Sequence, residues 1–382
     1  MPTSHTPEIT TSRRYDLDWL RILAVFMLIP YHSSRIFDIW EYFYVKNPQT
    51  SIALTVIRAV LDPWGMPLLF VISGASAWLA MRRRSSLSYL KERVLRLIIP
   101  LVFGLIIVVP PQAYLAWLGQ GNTGSFWEFY RGYWIIHNPD LGNWVGDFTL
   151  GHLWFILFLF LFSLIALPIF IFIKGRLGTL VIDWLSRICK RSGSIFLFFI
   201  PFWFSEMLPG PSVGGVNIFA YLMFLIAGFV LWSDERIQSA IDHSWRWAFY
   251  LGALTLGIIS VVRFAGIQFV DFSWQSTLFD AVKYFTTWAW VIGLLGFGHR
   301  YLNRANRWLP GLSASAYPFY ILHQTVIVLI GFYVVRWDIG IFPKYLIIFC
   351  SSLVITLGLC DLFRRWSVTR VIFGIKFTPS SV

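Results

Sequence analysis

The chain has 382 residues, of which 57% are hydrophobic, 19% are aromatic and 13% are charged. A typical soluble domain has about 25% charged residues, so this chain has too few polar side chains to cover a surface that faces water. The composition excludes a disordered chain, argues against a soluble enzyme and indicates a protein embedded in a lipid bilayer. The net charge of +12 does not require a nucleic-acid partner, because membrane orientation also concentrates Lys and Arg.

The first 18 residues are polar and show no cleavable signal pattern before the first apolar run. We predict that 1–18 is a cytosolic tail, that 19–365 is a transmembrane domain and that 366–382 is a second cytosolic tail. The domain contains ten apolar runs of about the length that crosses a bilayer as a helix. They are 19–37, 53–80, 94–117, 150–173, 194–208, 216–232, 246–264, 275–297, 313–335 and 341–363. The prediction is an all-α polytopic membrane protein of about ten transmembrane helices, with kinks at prolines of the second and third runs.

Positive charge is strongly biased to alternate loops of this arrangement. With the N-terminus inside, 22 of the 31 Lys and Arg residues fall in inner segments and six in outer segments. This bias predicts that both termini are cytosolic. The longest outer loop, 118–149, is rich in Phe, Tyr and Trp, which predicts an interfacial or re-entrant segment at the level of the lipid headgroups. The three cysteines have no spacing typical of a disulfide framework or a metal site.

Arg21 and His32 lie on the first run, eleven residues apart. Eleven residues of helix rotate by about 1100°, so the two side chains share a face and are about 16 Å apart along the axis. This places a permanent cation near the cytosolic end of the helix and a titratable imidazole nearer the outer end. A second interpretation is an arginine that snorkels to the headgroups and a histidine hydrogen-bonded in the core.

Arg93 and Arg96 begin the third run and, being three residues apart, lie on one side of a helix. Guanidinium groups bind phosphate in a bidentate manner, although the same pair also fits an ordinary cluster of positive charge on the inner side. Because Arg21, Arg93 and Arg96 share one depth, they could hold a polyphosphate whose attached chain rises along the first helix to His32. This is the arrangement expected for a coenzyme A thioester.

Further ionisable groups fall within the spans or at their outer ends, where charge is costly and is a functional candidate. They are Asp38, Arg58, Asp62, His152, Asp280, Lys283 and His323. The pairs Arg58–Asp62 and Asp280–Lys283 have the spacing of helical ion pairs, and a histidine satisfied in the core explains His152 or His323 equally well. Together these groups suggest a polar cavity that is open to the outer face.

At these residues the chain resembles integral-membrane acyltransferase family 3. Arg21 followed by ten residues and His32 is similar to the Arg-x10-His signature of that family, and Arg93-Val-Leu-Arg96 is similar to its Arg-x-x-Arg motif. Phe70-Val-Ile-Ser-Gly74 resembles its Phe-x-x-Ser-Gly segment, and the run from Tyr317 through Tyr320 to His323 resembles its late helix.

One departure concerns the fourth run. Many members carry His-x-Trp-Ser-Leu-x-x-Glu there, whereas this chain has His152-Leu-Trp154-Phe and then Leu159 at the position of the Glu. The pattern is closer to the branch of osmoregulated periplasmic glucan succinyltransferases. The missing carboxylate means that no role is transferred to position 159.

The resemblance implies an enzyme that moves an acyl group from a cytosolic acyl-CoA, with acetyl-CoA and succinyl-CoA as the expected donors, to a hydroxyl of a carbohydrate or lipid-linked acceptor. The reaction is expected at the outer face of a bacterial inner membrane, without a metal or a nucleic acid. No Ser or Cys has a base beside it, which favours direct attack over an acyl-enzyme.

The roles that follow from the resemblance are a base, a phosphate grip and a set of substrate contacts. His32 is the general base, with Asp38 as a candidate to orient its ring and His323 as a further catalytic group. The phosphates are assigned to Arg21, Arg93 and Arg96. The candidate substrate contacts are Arg58, Asp62, His152, Trp154, Asp280, Lys283, Tyr317 and Tyr320.

Two other classes of function fit the same helices. A transporter or flippase of a lipid-linked sugar explains the central polar residues but does not require Arg21 and His32 to share a face. A non-catalytic membrane scaffold leaves the buried ionisable groups unexplained. The sequence assigns neither the acyl group, the acceptor nor the oligomeric state.

Overall fold

The computed structural model describes residues 14–40, 42–136, 142–213, 216–271 and 273–375. These residues are mainly helical, with two short strands, which confirms the predicted all-α membrane fold. In the first half the helices are α1 (Tyr15–Phe26), α2 (Leu28–Arg35), α3 (Ile52–Leu61), α4 (Gly65–Met81), α5 (Ser86–Arg93), α6 (Ile99–Phe103), α7 (Pro110–Gly119), α8 (Phe126–Tyr133) and α9 (Trp154–Ile165).

The second half continues the bundle, with a short hairpin of strands β1 (Ser212–Val213) and β2 (Val216–Asn217) before α13. The antiparallel strands pair Ser212 with Asn217 and Val213 with Val216. The helices are α10 (Leu167–Lys174), α11 (Arg176–Cys189), α12 (Phe199–Ser205), α13 (Ile218–Ser233), α14 (Glu235–Phe264), α15 (Trp274–Leu302), α16 (Leu309–Val334), α17 (Ile341–Arg364) and α18 (Ser367–Ile372).

Each of the ten predicted runs coincides with helix, but they differ in how well each suits a membrane span. Among the described residues five helical stretches are long and apolar enough to cross a bilayer, and the bent pair α9–α10, with an angle of 47°, makes a sixth. The apolar helix α13 has only 16 residues. The α1–α2 segment carries Asp16, Asp18, Arg21 and Arg35, so its polar side chains lower its hydropathy. The number ten therefore stays a prediction.

Prolines account for the breaks inside the spans. Pro30 has no N–H to offer to the carbonyl of Phe26, and the first span divides into α1 and α2 at Met27. In the third span two π-helical turns, Val94–Ile98 and Gly104–Val108, flank α6. Pro110 cannot bond the carbonyl of Ile106, and the hydroxyl of Tyr130 on α8 donates to that carbonyl instead, at 3.2 Å.

Helices α4 and α13 cross with their backbones in close contact at two glycines. A Cβ atom at Gly74 would lie inside the van der Waals radius of the Leu225 carbonyl, and one at Gly228 would do the same to the carbonyl of Val71. Small residues of this kind let transmembrane helices approach closely. The Gly74 of the Phe-x-x-Ser-Gly segment therefore has a packing role, and it leaves Ser73 beside it facing a cavity.

The aromatic loop 118–149 and both ends of the described chain contain helices. Helix α8 buries Phe129 and Tyr133 against α7 and exposes Trp127, as an amphipathic interfacial segment would. Helix α1 begins at Tyr15, inside the predicted N-terminal tail, and α18 lies inside the predicted C-terminal tail, followed by the buried Phe373. Residues 1–13 and 376–382 of the two tails lie outside the described part of the chain.

Candidate active site

A cavity of about 500 Å³ opens between α1, α4, α5, the third span, α9 and α16. Five arginines line it, and three of them are the predicted phosphate-binding residues. They are Arg21, Arg83, Arg84, Arg93 and Arg96. The predicted grouping of Arg21 with the Arg93–Arg96 pair is therefore present in the structure, and sequence reasoning missed the contribution of Arg83 and Arg84.

Two carboxylates partly balance these cations. Asp18 accepts from Arg21 at 3.1 Å, and Glu92 accepts from Arg96 at 3.2 Å through one oxygen and from Arg84 through the other. Arg96 also donates to the carbonyl of Gly374, at 3.5 Å. With five guanidinium groups and two carboxylates on its wall, the cavity keeps a surplus of positive charge that suits an anionic ligand.

The cavity wall also contains apolar side chains and Tyr320. The apolar side chains are Val25, Leu69, Ile72, Leu97, Phe155, Leu159 and Ala316. Leu159, which stands where related sequences carry a carboxylate, is thus part of this apolar wall. Tyr317 faces the arginine end of the same cavity, and its hydroxyl has no hydrogen-bond partner among the described residues.

Three histidines meet beside Tyr320, and none of them is among the residues that line the cavity. The ring centre of His323 on α16 lies 5.2 Å from that of His32 on α2 and 5.1 Å from that of His152, which precedes α9. Tyr320 is one helical turn before His323, and its hydroxyl donates to the carbonyl of His152. Tyr320 therefore belongs both to the cavity wall and to the boundary of the histidine cluster.

Hydrogen bonds fix the tautomers of two of these rings. His152 donates from Nε2 to the carbonyl of Ile321 at 2.8 Å, and His323 donates from Nδ1 to the carbonyl of Tyr320 at 2.7 Å. A carbonyl only accepts, so these nitrogens carry the protons. His152 Nδ1, His323 Nε2 and His32 Nδ1 have no hydrogen-bond partner within the described segments.

All three imidazoles are buried, with 7% of His32, 4% of His152 and none of His323 exposed. An imidazolium in this position would carry an unpaired N–H and an unpaired charge, and both are costly in a dry interior. The neutral forms are therefore favoured, and each ring can present a lone pair to a ligand. Neutral imidazole is the form that can take up a proton.

The position of His152 depends on Gly151. Gly151 has φ of +52°, in the left-handed region that favours glycine, and it turns the chain into a short 3₁₀ segment before α9. A Cβ at this position would also come within 3.1 Å of the Tyr44 hydroxyl. The backbone conformation at this point therefore requires a glycine directly before His152.

A stack of aromatic and cationic groups packs against His32 of the cluster. The ring of Phe43 stacks on His32 with 5.9 Å between centres. The guanidinium of Arg35 lies 5.1 Å from the centre of Phe43 and 5.0 Å from that of Trp144. Phe43 and Trp144 come from two separate loops and Arg35 is the last residue of α2, which is why no spacing in the sequence identifies this stack.

Asp38 does not take the predicted position beside the His32 ring. Its two carboxylate oxygens are held by Lys46 and by Arg58, the latter at 2.9 Å, whereas His32 Nδ1 has no described partner. Arg58, predicted to be a partner of Asp62, therefore pairs with Asp38 instead. The nearest acid along the chain was the natural candidate, but the buried Arg58 and the partly buried Lys46 compete more strongly for it.

Asp62 instead accepts from the hydroxyl of Tyr31, at 2.7 Å, and the ring of Tyr31 meets that of His32 edge-on at 4.9 Å. Asp62 and Lys283 line a second, small cavity of about 30 Å³. Lys283 also pairs with Asp280 at 2.9 Å, as the spacing predicted.

Trp154 is placed away from both cavities. Its ring packs among Phe70, Phe155 and Tyr221, so its contacts are those of the core. Among the described residues no group of three or more His, Cys, Asp and Glu side chains is arranged to hold a metal ion.

Comparisons with known proteins agree with this description. The family described as "Acyltransferase domain" matches residues 14–365. "Glucans biosynthesis protein C" of Escherichia coli O1:K1 / APEC is 22% identical over 345 residues, which is 85% of each chain. The proteins of the same name from Shigella dysenteriae serotype 1 and Escherichia coli strain K12 are each 27% identical over 169 residues, 44% of this chain and 42% of theirs. The matches to these two span less than half of either protein, and no solved structure matches the chain.

Proposed function

Because the chain belongs to this family of acyltransferases, we propose that it transfers an acyl group from a cytosolic acyl-CoA, such as acetyl-CoA or succinyl-CoA, to a hydroxyl group of a carbohydrate-type acceptor. The name of the relatives points to a glucan as the acceptor. Transfer takes place at the outer face of a bacterial inner membrane, with both chain termini in the cytosol.

The observation that carries this proposal is a cavity that combines cationic and apolar walls beside a histidine cluster. Five arginines and a set of apolar side chains line the cavity, and Tyr320 of its wall contacts the rings of His152 and His323. Coenzyme A thioesters offer matching parts, with phosphates at one end, an uncharged pantetheine arm and then the reactive carbonyl. Arg21, Arg93 and Arg96 hold the phosphates, and the acyl end passes Tyr320 to reach the cluster.

In the proposed reaction His32 is the general base. One of its ring nitrogens removes the proton of the acceptor hydroxyl while the hydroxyl oxygen attacks the thioester carbonyl. The new C–O ester bond forms, the C–S bond breaks, and the proton passes from His32 to the departing thiolate, which leaves as free coenzyme A. His323 and His152 are each about 5 Å from a neighbouring ring and hold the reacting groups in place.

The acceptor approaches from the side that Arg35, Phe43 and Trp144 cover. Aromatic faces suit sugar rings, and a guanidinium supplies donors for sugar hydroxyl groups. Asp62, which reaches His32 through Tyr31, and Lys283, which lines the small cavity with it, are the further polar groups assigned to the acceptor. Asp280 takes part through its ion pair with Lys283.

The proposal is tested by acyl transfer in reconstituted vesicles. Purified full-length protein receives radiolabelled succinyl-CoA or acetyl-CoA on one side and an oligoglucan on the other, and labelled glucan is measured. We expect His32→Ala to lower kcat by about 100-fold or more, the usual contribution of a general base.

The matched control is His243→Ala, because His243 is an exposed histidine whose Nδ1 bonds within its own helix at Ser239. It should keep wild-type activity. Undiminished transfer by His32→Ala would remove the assignment of the base. Movement of a lipid-linked sugar without any acyl transfer would replace the proposal with the transporter alternative.

A further inference from the structure

Two arginines of the cavity wall have no role in the mechanism above. Arg83 and Arg84 lie on the turn between α4 and α5, in a run of three arginines that membrane orientation alone would explain. Both line the cavity, whereas their neighbour Arg82 does not take part in the described wall. The turn therefore directs two of three adjacent cations toward the ligand.

Arg83 and Arg84 stand at the mouth of the cavity. Both residues are exposed, whereas Arg21, Arg93 and Arg96 are only partly exposed. Since the thioester must reach the histidines beyond Tyr320, the opposite end of the donor has to lie at this mouth. The end of coenzyme A opposite its thiol is an adenosine whose ribose carries a 3′-phosphate.

A carboxylate already occupies an anion position at this place. Glu92 accepts from Arg84 with one oxygen and from Arg96 with the other, so a single carboxylate bridges Arg84 and Arg96. The side chains of Arg84 and Arg96 are nonetheless 46% and 41% exposed. Donors on both guanidinium groups thus remain open to a second anion.

Tyr89 adds an unpartnered polar group to the same wall. It is 1% exposed, its hydroxyl has no hydrogen-bond partner in the described structure, and Arg93 stacks over its ring at 5.1 Å. A buried phenol without a partner is costly unless a ligand supplies one. Its position on α5, between the mouth and the deep arginines, places that partner at the nucleotide end of the donor.

We propose that Arg83 and Arg84, with the Tyr89 hydroxyl beside them, bind the ribose 3′-phosphate of the donor, and so select coenzyme A thioesters over donors without this group. The inference rests on the proposed function, because it takes the donor to be an acyl-CoA. It adds a recognition element outside the three motif arginines, which hold the pyrophosphate.

The test compares two donors that differ only in this phosphate. Acyl transfer by the reconstituted full-length protein is measured with acetyl-CoA and with acetyl-3′-dephospho-CoA. We expect the KM of the wild type to be about tenfold higher for the dephospho donor, as the loss of charge-assisted hydrogen bonds predicts, with kcat nearly unchanged. Equal KM values for the two donors would overturn the inference and leave the proposed function intact.

The variants locate the effect. The double variant Arg83→Gln/Arg84→Gln should reduce the difference between the donors to less than about twofold, because only the 3′-phosphate loses its partners. Arg82→Gln is the matched control and should keep the tenfold preference for acetyl-CoA over the dephospho donor. Tyr89→Phe should lower this preference. An equal loss of preference in Arg82→Gln would show a general charge effect and contradict the assignment. If neither donor supports transfer by the wild type, the proposed function itself fails.

Discussion

Replacing Asp38 separates a structural role from a catalytic one. Asp38 is fully buried, and the Arg58 side chain that it holds is 6% exposed. Asp38→Asn keeps the shape but leaves Arg58 and Lys46 facing a neutral amide. Removing one partner of a buried ion pair costs about 3–5 kcal/mol, because the remaining charge loses part of its compensation. We therefore expect a clear fall in the unfolding temperature.

The assay is thermal unfolding in detergent with a thiol-reactive dye, in a Cys350→Ser background because Cys350 is exposed, whereas Cys189 and Cys360 are buried and react only when the bundle opens. Asp361→Asn is the control, because Asp361 belongs to an exposed pair with Arg365 and should leave the unfolding temperature unchanged. Combining Asp38→Asn with Arg58→Gln should recover part of the loss. If Asp38→Asn keeps the wild-type unfolding temperature but has a strongly lowered kcat, this reasoning is refuted. Asp38 would then be a catalytic residue, as the sequence predicted.

Two further predictions concern packing and pH. Gly228→Ala should destabilise the α4–α13 crossing by about 1–3 kcal/mol or more, whereas Gly257→Ala, where a Cβ meets nothing within 4 Å, should be neutral or stabilising in the same dye assay. At the start of α8, hydrogen bonds from Ser125 lower the pKa of Glu128. A carboxyl with a lowered folded pKa stabilises its helix above its ordinary pKa of about 4.3 and loses that contribution as the pH falls. Trp127 emission should therefore change on acidification below this value, and Glu128→Gln should remove the change; identical titrations of the two proteins would contradict it.

The sequence predicted the fold class well because apolar length and helix formation coincide in a bilayer. All ten predicted runs are helical, and the family and enzyme class that the motifs indicated are confirmed by the match over residues 14–365. The number of spans is harder to predict. Helices that carry interior polar groups, such as Asp16 and Arg21 on α1, are less apolar than those that face lipid.

The site was predictable where charged groups share one helix or one depth in the bilayer, as Arg21, Arg93 and Arg96 do, and was not where loops meet. Arg93 and Arg96 are neighbours on one helix, so their spacing placed them together in the cavity. Phe43 and Trp144 reach His32 and Arg35 through loops far apart in the chain. Their only sequence signal was the density of aromatic residues in those loops, which an interfacial location explains equally well.

The charged residues around Asp38 show why a buried ion is not by itself a substrate contact. Asp38 bonds Lys46 and Arg58, and Lys344 donates to Asn47 at 3.1 Å and to the carbonyl of Val335 at 2.9 Å. These contacts fasten the segment between α2 and α3 to its neighbours.

That segment carries Phe43, which stacks on His32. In the reaction proposed above, breaking these contacts would uncover the His32 imidazole and admit water, which competes with the acceptor hydroxyl for the thioester. We propose that the ion pairs keep His32 covered until an acceptor arrives. Variants that loosen this segment should raise the ratio of acyl-CoA hydrolysis to acyl transfer. The loss of a substrate contact alone would not raise this ratio.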